Sequence, residues 1–227
     1  MLKERRNQIL FLAAFALIGL GAMQVPFSQL VGAPSSIRFS LFDFYGPIAG
    51  AFVGSPLGLV VVAFMQLLNW AVKGFSMDMG VIIRMFPMFF AVWYFAKPSR
   101  SVLAVPVIAI IAFSAHPEGR MAWYYTLYWL IPLAMHFLRD RFLYARALGA
   151  TFTAHSVGGA LWIWTFNMKA ALWIGLIPVV WKERMLMALG IMLTFVVFNH
   201  IFAWLKQHTR LPLSFISTES RYLWHKK

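Results

Sequence analysis

The chain has 227 residues, of which 61% are hydrophobic and only 12% are charged, and its mean hydropathy is +0.73. A soluble domain is about half apolar and a quarter charged, so this composition excludes an ordinary soluble protein and indicates an integral membrane protein with several spans. The net charge of +13 does not indicate a nucleic-acid partner, because the basic residues cluster between apolar segments, where membrane orientation and contact with anionic membrane lipids explain them.

Apolar segments follow one another along nearly the whole chain and predict an all-α, polytopic bundle of six to eight transmembrane helices. Residues 1–205 form a single transmembrane domain in this interpretation. Two segments are shorter than the roughly 20 residues that cross a bilayer, so we expect 42–53 and 170–181 to be tilted, re-entrant or interfacial. The segments lie at about 8–25, 42–53, 56–72, 79–96, 101–115, 121–138, 147–165, 170–181 and 185–205.

Basic residues predict the orientation, since cytoplasmic loops carry an excess of lysine and arginine. Their positions place both the N terminus and the C terminus in the cytoplasm, with an even number of crossings. Residues 206–227 then form a basic cytoplasmic tail that could lie on the membrane surface. The residues that carry this prediction are Lys3, Arg5, Arg6, Lys97, Arg100, Arg139, Arg141, Arg146, Lys206, Arg210, Arg221, Lys226 and Lys227.

Glycines recur at every fourth position from residue 46 to residue 58, inside an apolar run. Small-residue ridges of this kind let helix backbones approach closely in lipid, where packing rather than hydrophobicity drives association. The sequence Gly54-Ser55-Pro56 disfavours a straight helix through the run. We therefore predict a helix, a tight break and a second helix, which together form a compact hairpin.

Three polar residues in the first half of the chain are candidates for binding a substrate. Arg84 lies five residues into an apolar segment, where a charge costs ~2.5–3.5 kcal/mol at the bilayer centre, and it either binds an anionic substrate group or snorkels to the outer interface. Asp43 opens a short apolar segment and either pairs with Arg84 or Arg38 or caps the helix. Asn69 shares a helix face with Gln66, for structural hydrogen bonds or for lining a cavity.

Three further candidates lie in the second half. His155 precedes Gly158 and Gly159, which leave room for a ligand or for a neighbouring backbone. It either lines a cavity or makes an interhelical hydrogen bond. Trp164 and Asn167 share a helix face with each other, and an indole beside an amide would suit a flat heterocycle, although interfacial anchoring also explains the tryptophan.

The sequence offers little support for catalysis, and we expect neither an enzyme nor a cofactor. The histidines are scattered, with no His-Glu-x-x-His motif, and the lack of cysteine excludes thiolate metal sites and cysteine nucleophiles. Ser156 adjoins His155, but adjacent helix positions do not face one another. Glu183 and Arg184 are interpreted as a local ion pair at a helix start.

The stretch from Phe39 to Gly58, with Asp43 followed by "YGPIAGAFVGSPLGLVV", resembles the second and third helices of the substrate-binding S components of energy-coupling factor transporters. The stretch "FTAHSVGGALWIW…LIPVVWKERMLMALG" also resembles the closing region of some members. The resemblance implies six helices around a vitamin-like substrate on the outer side, with a separate transmembrane coupling subunit and two cytoplasmic ATPases as partners. Where that family often has an Ala-xxx-Ala pair in its first helix, this chain has a small-residue ridge of Ala13, Ala16, Gly19 and Ala22.

We therefore predict a substrate-capture subunit of a membrane importer that binds a vitamin-like small molecule from the outer face. No phosphate-cradling Gly-x-x-x-x-Gly-Lys-Ser/Thr loop occurs, so separate subunits would bind the ATP. The loop between Val25 and Ser40 would gate the cavity. The alternatives are a non-transporting membrane scaffold or, less favoured, a lipid-modifying membrane enzyme. The candidate binding residues are Arg84, Asn69, His155, Trp164, Asn167 and Asp43.

Overall fold

The computed structural model describes residues 2–26, 39–209 and 213–224, with side chains from Arg5 onward. Within these ranges all regular secondary structure is helical and no β-strand occurs, so the all-α prediction is confirmed. Three helices are long and apolar enough to cross a membrane, at Arg5–Met23, Ser55–Val72 and Ala170–His208. Two further apolar helices are shorter, at Met79–Phe95 and Arg100–Ala115.

The described residues contain ten α-helices in chain order. They are α1 (Leu2–Met23), α2 (Phe42–Tyr45), α3 (Ala49–Val53), α4 (Ser55–Val72), α5 (Met79–Phe95), α6 (Ala104–Ala115), α7 (Pro117–Met121), α8 (Ile131–Leu138), α9 (Leu143–Phe166) and α10 (Ala170–His208). Turns of 3-10 helix lie at Gly46–Ile48, Arg100–Leu103, Trp123–Leu130 and Ser220–Tyr222.

Both of the short predicted segments belong to larger elements. Segment 170–181 is the first part of α10, which runs through Pro178 to His208 as one helix of 39 residues. At 1.5 Å per residue this helix is about 58 Å long, well beyond the roughly 30 Å of a bilayer core. Segment 42–53 is a series of α2, a 3-10 turn and α3.

The predicted break at Gly54 separates α3 from α4. Gly54 has φ +82° and ψ 158°, a conformation that is essentially restricted to glycine. Beyond it the chain doubles back, and a Cβ added at Gly58 would lie 2.8 Å from the Gly50 Cα. A Cβ added at Gly50 would lie 2.7 Å from the carbonyl oxygen of Val92 in α5. The predicted hairpin therefore forms, and its glycines bring three helices into backbone contact.

The small residues of α1 are used inside the bundle. Ala16 is only 5% exposed. A Cβ added at Gly19 would lie 2.2 Å from the Met65 sulfur in α4. The Tyr45 hydroxyl of α2 donates a hydrogen bond of 2.9 Å to the Phe15 carbonyl oxygen. At Ala16 and Gly19, then, the ridge packs within this chain and is not exposed to a partner.

The helices define two ends of the bundle. Helices α1, α4 and α9 end where α10 begins, and we call this the cavity end. There Gln24 donates a hydrogen bond of 3.0 Å to Asn69, and Lys169 forms a 2.9 Å ion pair with Glu118. Helix α9 begins and α10 ends at the opposite end, which we call the tail end.

Two buried arginines hold the C-terminal end of α5 at the tail end. Arg146 Nε donates a 2.5 Å hydrogen bond to the Phe95 carbonyl oxygen, and the Arg139 guanidinium donates one to that of Ala96. The two arginine residues are 5% and 1% exposed. Carbonyl groups at a helix C terminus carry partial negative charge, so these contacts stabilise the end of α5, although Nε and Nη1 of Arg139 are buried without a hydrogen-bond partner among the described residues.

Residues 213–224 fold back onto the tail end. The Ser217 amide donates a 2.7 Å hydrogen bond to the Phe52 carbonyl oxygen. Asn199 and Glu219 exchange two hydrogen bonds of 2.9 Å, and Glu219 also accepts a 2.5 Å bond from Arg146. Helix α10 ends at His208, past the predicted start of the tail at residue 206. Residues 213–224 of the predicted tail are packed on the bundle. Three of the basic residues expected in the tail lie outside the described ranges, namely Arg210, Lys226 and Lys227.

We expect Gly58→Ala to lower the unfolding free energy by about 1–3 kcal/mol, because the added methyl group would collide with the backbone of Gly50. Gly175→Ala is the matched control, since nothing lies within 4 Å of a Cβ there. Thermal unfolding in detergent measures both. Equal stability of the two variants would contradict the close backbone contact.

The Glu219 carboxylate makes tail packing dependent on pH. Burial opposes its charged form, but attraction to and hydrogen bonds from Arg146 and Arg221 outweigh burial, so the pKa of Glu219 lies below its ordinary value. A lowered carboxyl pKa stabilises the fold fully above the unfolded-state pKa of about 4.3, and this contribution disappears as pH falls through the folded-state value.

We therefore expect the unfolding temperature to fall more steeply between pH 5 and pH 3 in the wild type than in Glu219→Gln. At pH 7 the variant should lose about 1–3 kcal/mol, because Arg146 loses its charged partner. Asp140→Asn removes an exposed carboxylate of the same region and is the control. Parallel pH profiles for wild type and Glu219→Gln would show that this ion pair does not stabilise the tail.

Candidate functional site

The described residues surround a cavity of about 840 Å³ at the cavity end. Its walls come from α2, α4, α5, α9, α10 and the 3-10 segment before α8, and they are mostly apolar. The volume lies in the roughly 300–1,000 Å³ range of small-molecule sites. Polar lining residues are Gln24, Ser40, Asp43, Gln66, Asn69, Lys73, Ser76, Arg84, Tyr125, Thr151, His155, Glu183 and Arg184.

Asp43 lines the cavity from the first turn of α2. The helix begins at Phe42 with Leu41 in the capping position, so Asp43 does not cap it as an N-cap residue would. Its Oδ2 instead accepts a 2.8 Å hydrogen bond from the backbone amide of Ser40. This bond holds the start of α2 and orients the carboxylate. Arg38, one of the two predicted partners of Asp43, lies outside the described residues.

Glu183 and Arg184 lie in the interior of α10, and both line the cavity with 7% exposure. Arg184 Nη2 bonds Glu183 Oε2 at 3.2 Å, and Nη1 bonds the hydroxyl of Thr151 at 3.3 Å. The Arg184 guanidinium carbon also lies 5.1 Å from the ring centre of Phe39. Asp43 interacts electrostatically with both members of the pair. Two carboxylates and one guanidinium thus form a charged cluster at the wall of the cavity.

His155 has both ring nitrogens occupied by protein partners. The Trp129 indole donates a 3.0 Å hydrogen bond to Nδ1, and Nε2 lies 3.0 Å from the hydroxyl of Tyr125. Because an indole N–H can only donate, Nδ1 must be unprotonated and Nε2 carries the proton. His155 then donates to the Tyr125 oxygen, which leaves the Tyr125 hydroxyl hydrogen free for another acceptor. The histidine lines the cavity but acts chiefly as an interhelical link.

Arg84 lines the cavity from α5. Its guanidinium carbon lies 5.6 Å from the ring centre of Trp162 in α9, a cation–π contact between neighbouring helices. The residue is exposed, as is Lys73 after α4, which also lines the cavity. These two cations therefore belong to the solvent-accessible part of the cavity.

For the two side-chain amides of α4, the sequence left open whether they make structural hydrogen bonds or line a cavity, and they do both. Both Gln66 and Asn69 line the cavity, and both are hydrogen-bonded. Gln66 Nε2 donates to the Met85 carbonyl oxygen at 3.1 Å, and Asn69 Oδ1 accepts from Gln24. Their shared helix face therefore points into the bundle.

Trp164 and Asn167 lie away from this cavity. Trp164 is 56% exposed, and its indole N–H donates a 2.8 Å hydrogen bond to the Ala112 carbonyl oxygen. Asn167 is exposed and ends α9 in a left-handed conformation, with φ 47°. The helix phase explains the difference, because nine residues at about 100° each place Trp164 opposite His155. Trp162, seven residues on from His155, lies on its face and lines the cavity.

The charged cluster was not predicted to belong to the site. Glu183 and Arg184 were expected at a helix start, whereas α10 passes through them without a break. Tyr125 was not among the predicted candidates, yet it is 1% exposed and lines the cavity. The sequence did contain an indication of this cluster, because charged residues within an apolar helix are costly unless they have partners or a function.

The loop that was predicted to gate the cavity lies largely outside the described residues, and its gating role stays a prediction. Its two ends are described, and Pro26 and Phe39 both line the cavity. The Leu41 amide donates a 3.0 Å hydrogen bond to the Val25 carbonyl oxygen, which holds these ends together.

Comparisons of the chain with family models, with curated proteins and with solved structures give no match. The geometry of the cavity is therefore the basis for assigning a function.

Packing of Gly159 against Trp129 supports this geometry. A Cβ added at Gly159 would lie 2.5 Å from Trp129 Cζ2, whereas one added at Gly158 would meet only Pro87 Cγ at 3.6 Å. We expect Gly159→Ala to cost about 1–3 kcal/mol of stability, because it displaces the ring that holds His155. Gly158→Ala should cost little. Thermal unfolding in detergent compares the two, and equal losses would contradict the assigned packing of Trp129.

Proposed function

We propose that this protein captures a small organic molecule from the outer side of a membrane and passes it to a separate transport machinery. The observation that carries the proposal is the cavity of about 840 Å³, which has mostly apolar walls and a charged cluster on one of them. Few polar groups in an apolar cavity are the usual design of sites that bind small molecules.

We infer eight membrane passes, with both termini in the cytoplasm. Eight segments of the chain run alternately between the two ends. They are α1, the α2–α3 series, α4, α5, α6, the 3-10 segment joined to α8, then α9, and finally α10. The tail end carries the larger share of the basic residues, which favours the cytoplasmic side. The cavity end then faces outward. Basic residues at or near the tail end are Arg5, Arg6, Lys97, Arg100, Arg139, Arg141, Arg146, Lys206 and Arg221.

Eight passes exceed the six that the resemblance to energy-coupling factor S components implies. The proposal of a coupling subunit and two ATPases as partners therefore rests on that resemblance and on the absence of a phosphate-binding loop from the sequence. On α1, a partner would meet the outward face, where Ile9, Leu10, Leu17 and Ile18 are exposed.

Capture accounts for the observations better than the two alternatives do. A scaffold would use its glycine ridges to pack against partners, but Gly19, Gly50 and Gly58 pack within the chain. For an enzyme, the natural general base would be His155, but both of its nitrogens are engaged by Tyr125 and Trp129.

Native mass spectrometry of the gently purified protein tests capture. We expect a retained small molecule in the wild type and its loss in Ala154→Trp, because Ala154 lines the cavity and an indole would fill it. Ala171→Trp adds the same ring at an exposed position of α10 and should leave the retained molecule in place.

Retention of the same molecule by Ala154→Trp would place it outside the cavity. A wild-type protein that carries no small molecule after expression in rich medium would favour the scaffold. Co-purification with an ATPase tests the transport part of the proposal separately, since binding in the cavity does not require that partner.

A further inference from the structure

We propose that the charged cluster of the cavity binds an organic cation that carries a hydrogen-bond acceptor close to its positive nitrogen. This inference rests on the proposed capture function and specifies the substrate class of the same site. It follows from the charges of the cluster, from the partners of its polar atoms and from the aromatic rings that line the same cavity.

Counted over the described residues, the cluster has a net charge of −1 when its carboxylates are ionised, because Asp43 and Glu183 stand against one cation, Arg184. Within the described part of the chain, each carboxylate uses one oxygen for a hydrogen bond. Glu183 Oε2 accepts from Arg184, and Asp43 Oδ2 accepts from the Ser40 amide. In the described ranges, the second oxygen of each makes no side-chain hydrogen bond, and it can accept one from a ligand. An uncompensated negative charge in an apolar surrounding is costly, and a bound cation would remove that cost.

Arg184 contributes hydrogen-bond donors to the wall of the cavity. Its side chain lines the cavity and is only 8% exposed, and its Nε is buried with no hydrogen-bond partner among the described residues. A buried charged donor without an acceptor is costly. Nε itself has almost no accessible surface, so a ligand would contact the terminal nitrogens Nη1 and Nη2, each of which has a second N–H beyond its bond to Thr151 or Glu183. An acceptor atom on the ligand would bond to these N–H groups.

Aromatic side chains line other parts of the same cavity. Phe42, Tyr125 and Trp173 all line the cavity, and the ring centres of Tyr125 and Trp173 lie 5.1 Å apart. Faces of aromatic rings attract organic cations. The hydroxyl hydrogen of Tyr125, which His155 leaves free, can donate to the same acceptor as Arg184.

Two cations of the cavity could favour an anionic ligand instead. Arg84 and Lys73 are both exposed, however, and solvent weakens their fields. Asp43 interacts electrostatically with both Glu183 and Arg184. The buried net charge is therefore negative, and we assign the cationic end of the ligand to Asp43 and Glu183.

Four matched probes test this assignment by isothermal titration calorimetry in detergent at pH 7. They are 2-amino-1-phenylethanol (a cation with an acceptor), phenethylamine (a cation without one), 2-phenylethanol (neutral) and 3-phenylpropanoate (an anion). We expect the two amines to bind the wild type at least about tenfold more tightly than the anion and the alcohol, as a charge-assisted hydrogen bond implies. The amino alcohol should bind more tightly than phenethylamine.

Asp43→Asn and Glu183→Gln should each weaken binding of the amines about tenfold, while both keep an oxygen for their present hydrogen bonds. Asp78→Asn is the matched control, because Asp78 caps α5 through a 3.1 Å bond from the Val81 amide and is not among the residues that line the cavity. This variant should bind like the wild type.

Tighter binding of 3-phenylpropanoate, or amine binding that neither variant weakens, would overturn the cationic class and leave capture standing. Absence of saturable binding by all four probes would overturn the cationic class as well. If the wild type then still retained a small molecule in mass spectrometry, capture would survive. If it retained none, both proposals would fall.

Discussion

The structure depends on a constraint that apolar helices impose on charged side chains. A charge inside such a bundle is costly unless protein groups or a ligand surround it, and α10 carries Glu183 and Arg184 in its interior. The two residues bond each other, and Thr151 and Asp43 approach them from α9 and α2. Charged and polar groups of three helices thus lie in one cluster at the wall of the cavity.

The two ends of the bundle are built differently. At the tail end, backbones approach closely at Gly50 and Gly58, and buried arginines bond the last carbonyl groups of α5. Residues 213–224 add further hydrogen bonds there. At the cavity end, the same helices surround open space lined by Asp43 and Arg84. Close packing at one end and a cavity at the other suit a protein that binds a ligand from a single side.

A polar network also supports the wall of the cavity from behind. Trp129 is fully buried against Gly159, and it fixes the tautomer of His155 through a hydrogen bond to Nδ1. His155 in turn orients the Tyr125 hydroxyl. Each group in this chain sets the donor or acceptor role of the next, so the wall presents a defined hydrogen-bond donor to the cavity.

Composition and the positions of glycine and proline determined the helical class and the hairpin around Gly54, because apolar segments and glycine conformation are local properties of the chain. Local reasoning also identified Asp43, Asn69, Arg84 and His155, since polar residues in apolar helices are costly wherever they lie. Only the tertiary structure decided that Trp164 and Asn167 lie apart from the cavity and that Glu183 and Arg184 belong to it. Those outcomes depend on the phase of α9 and on the unbroken course of α10, which are set by packing against other helices and not by neighbouring residues in the sequence.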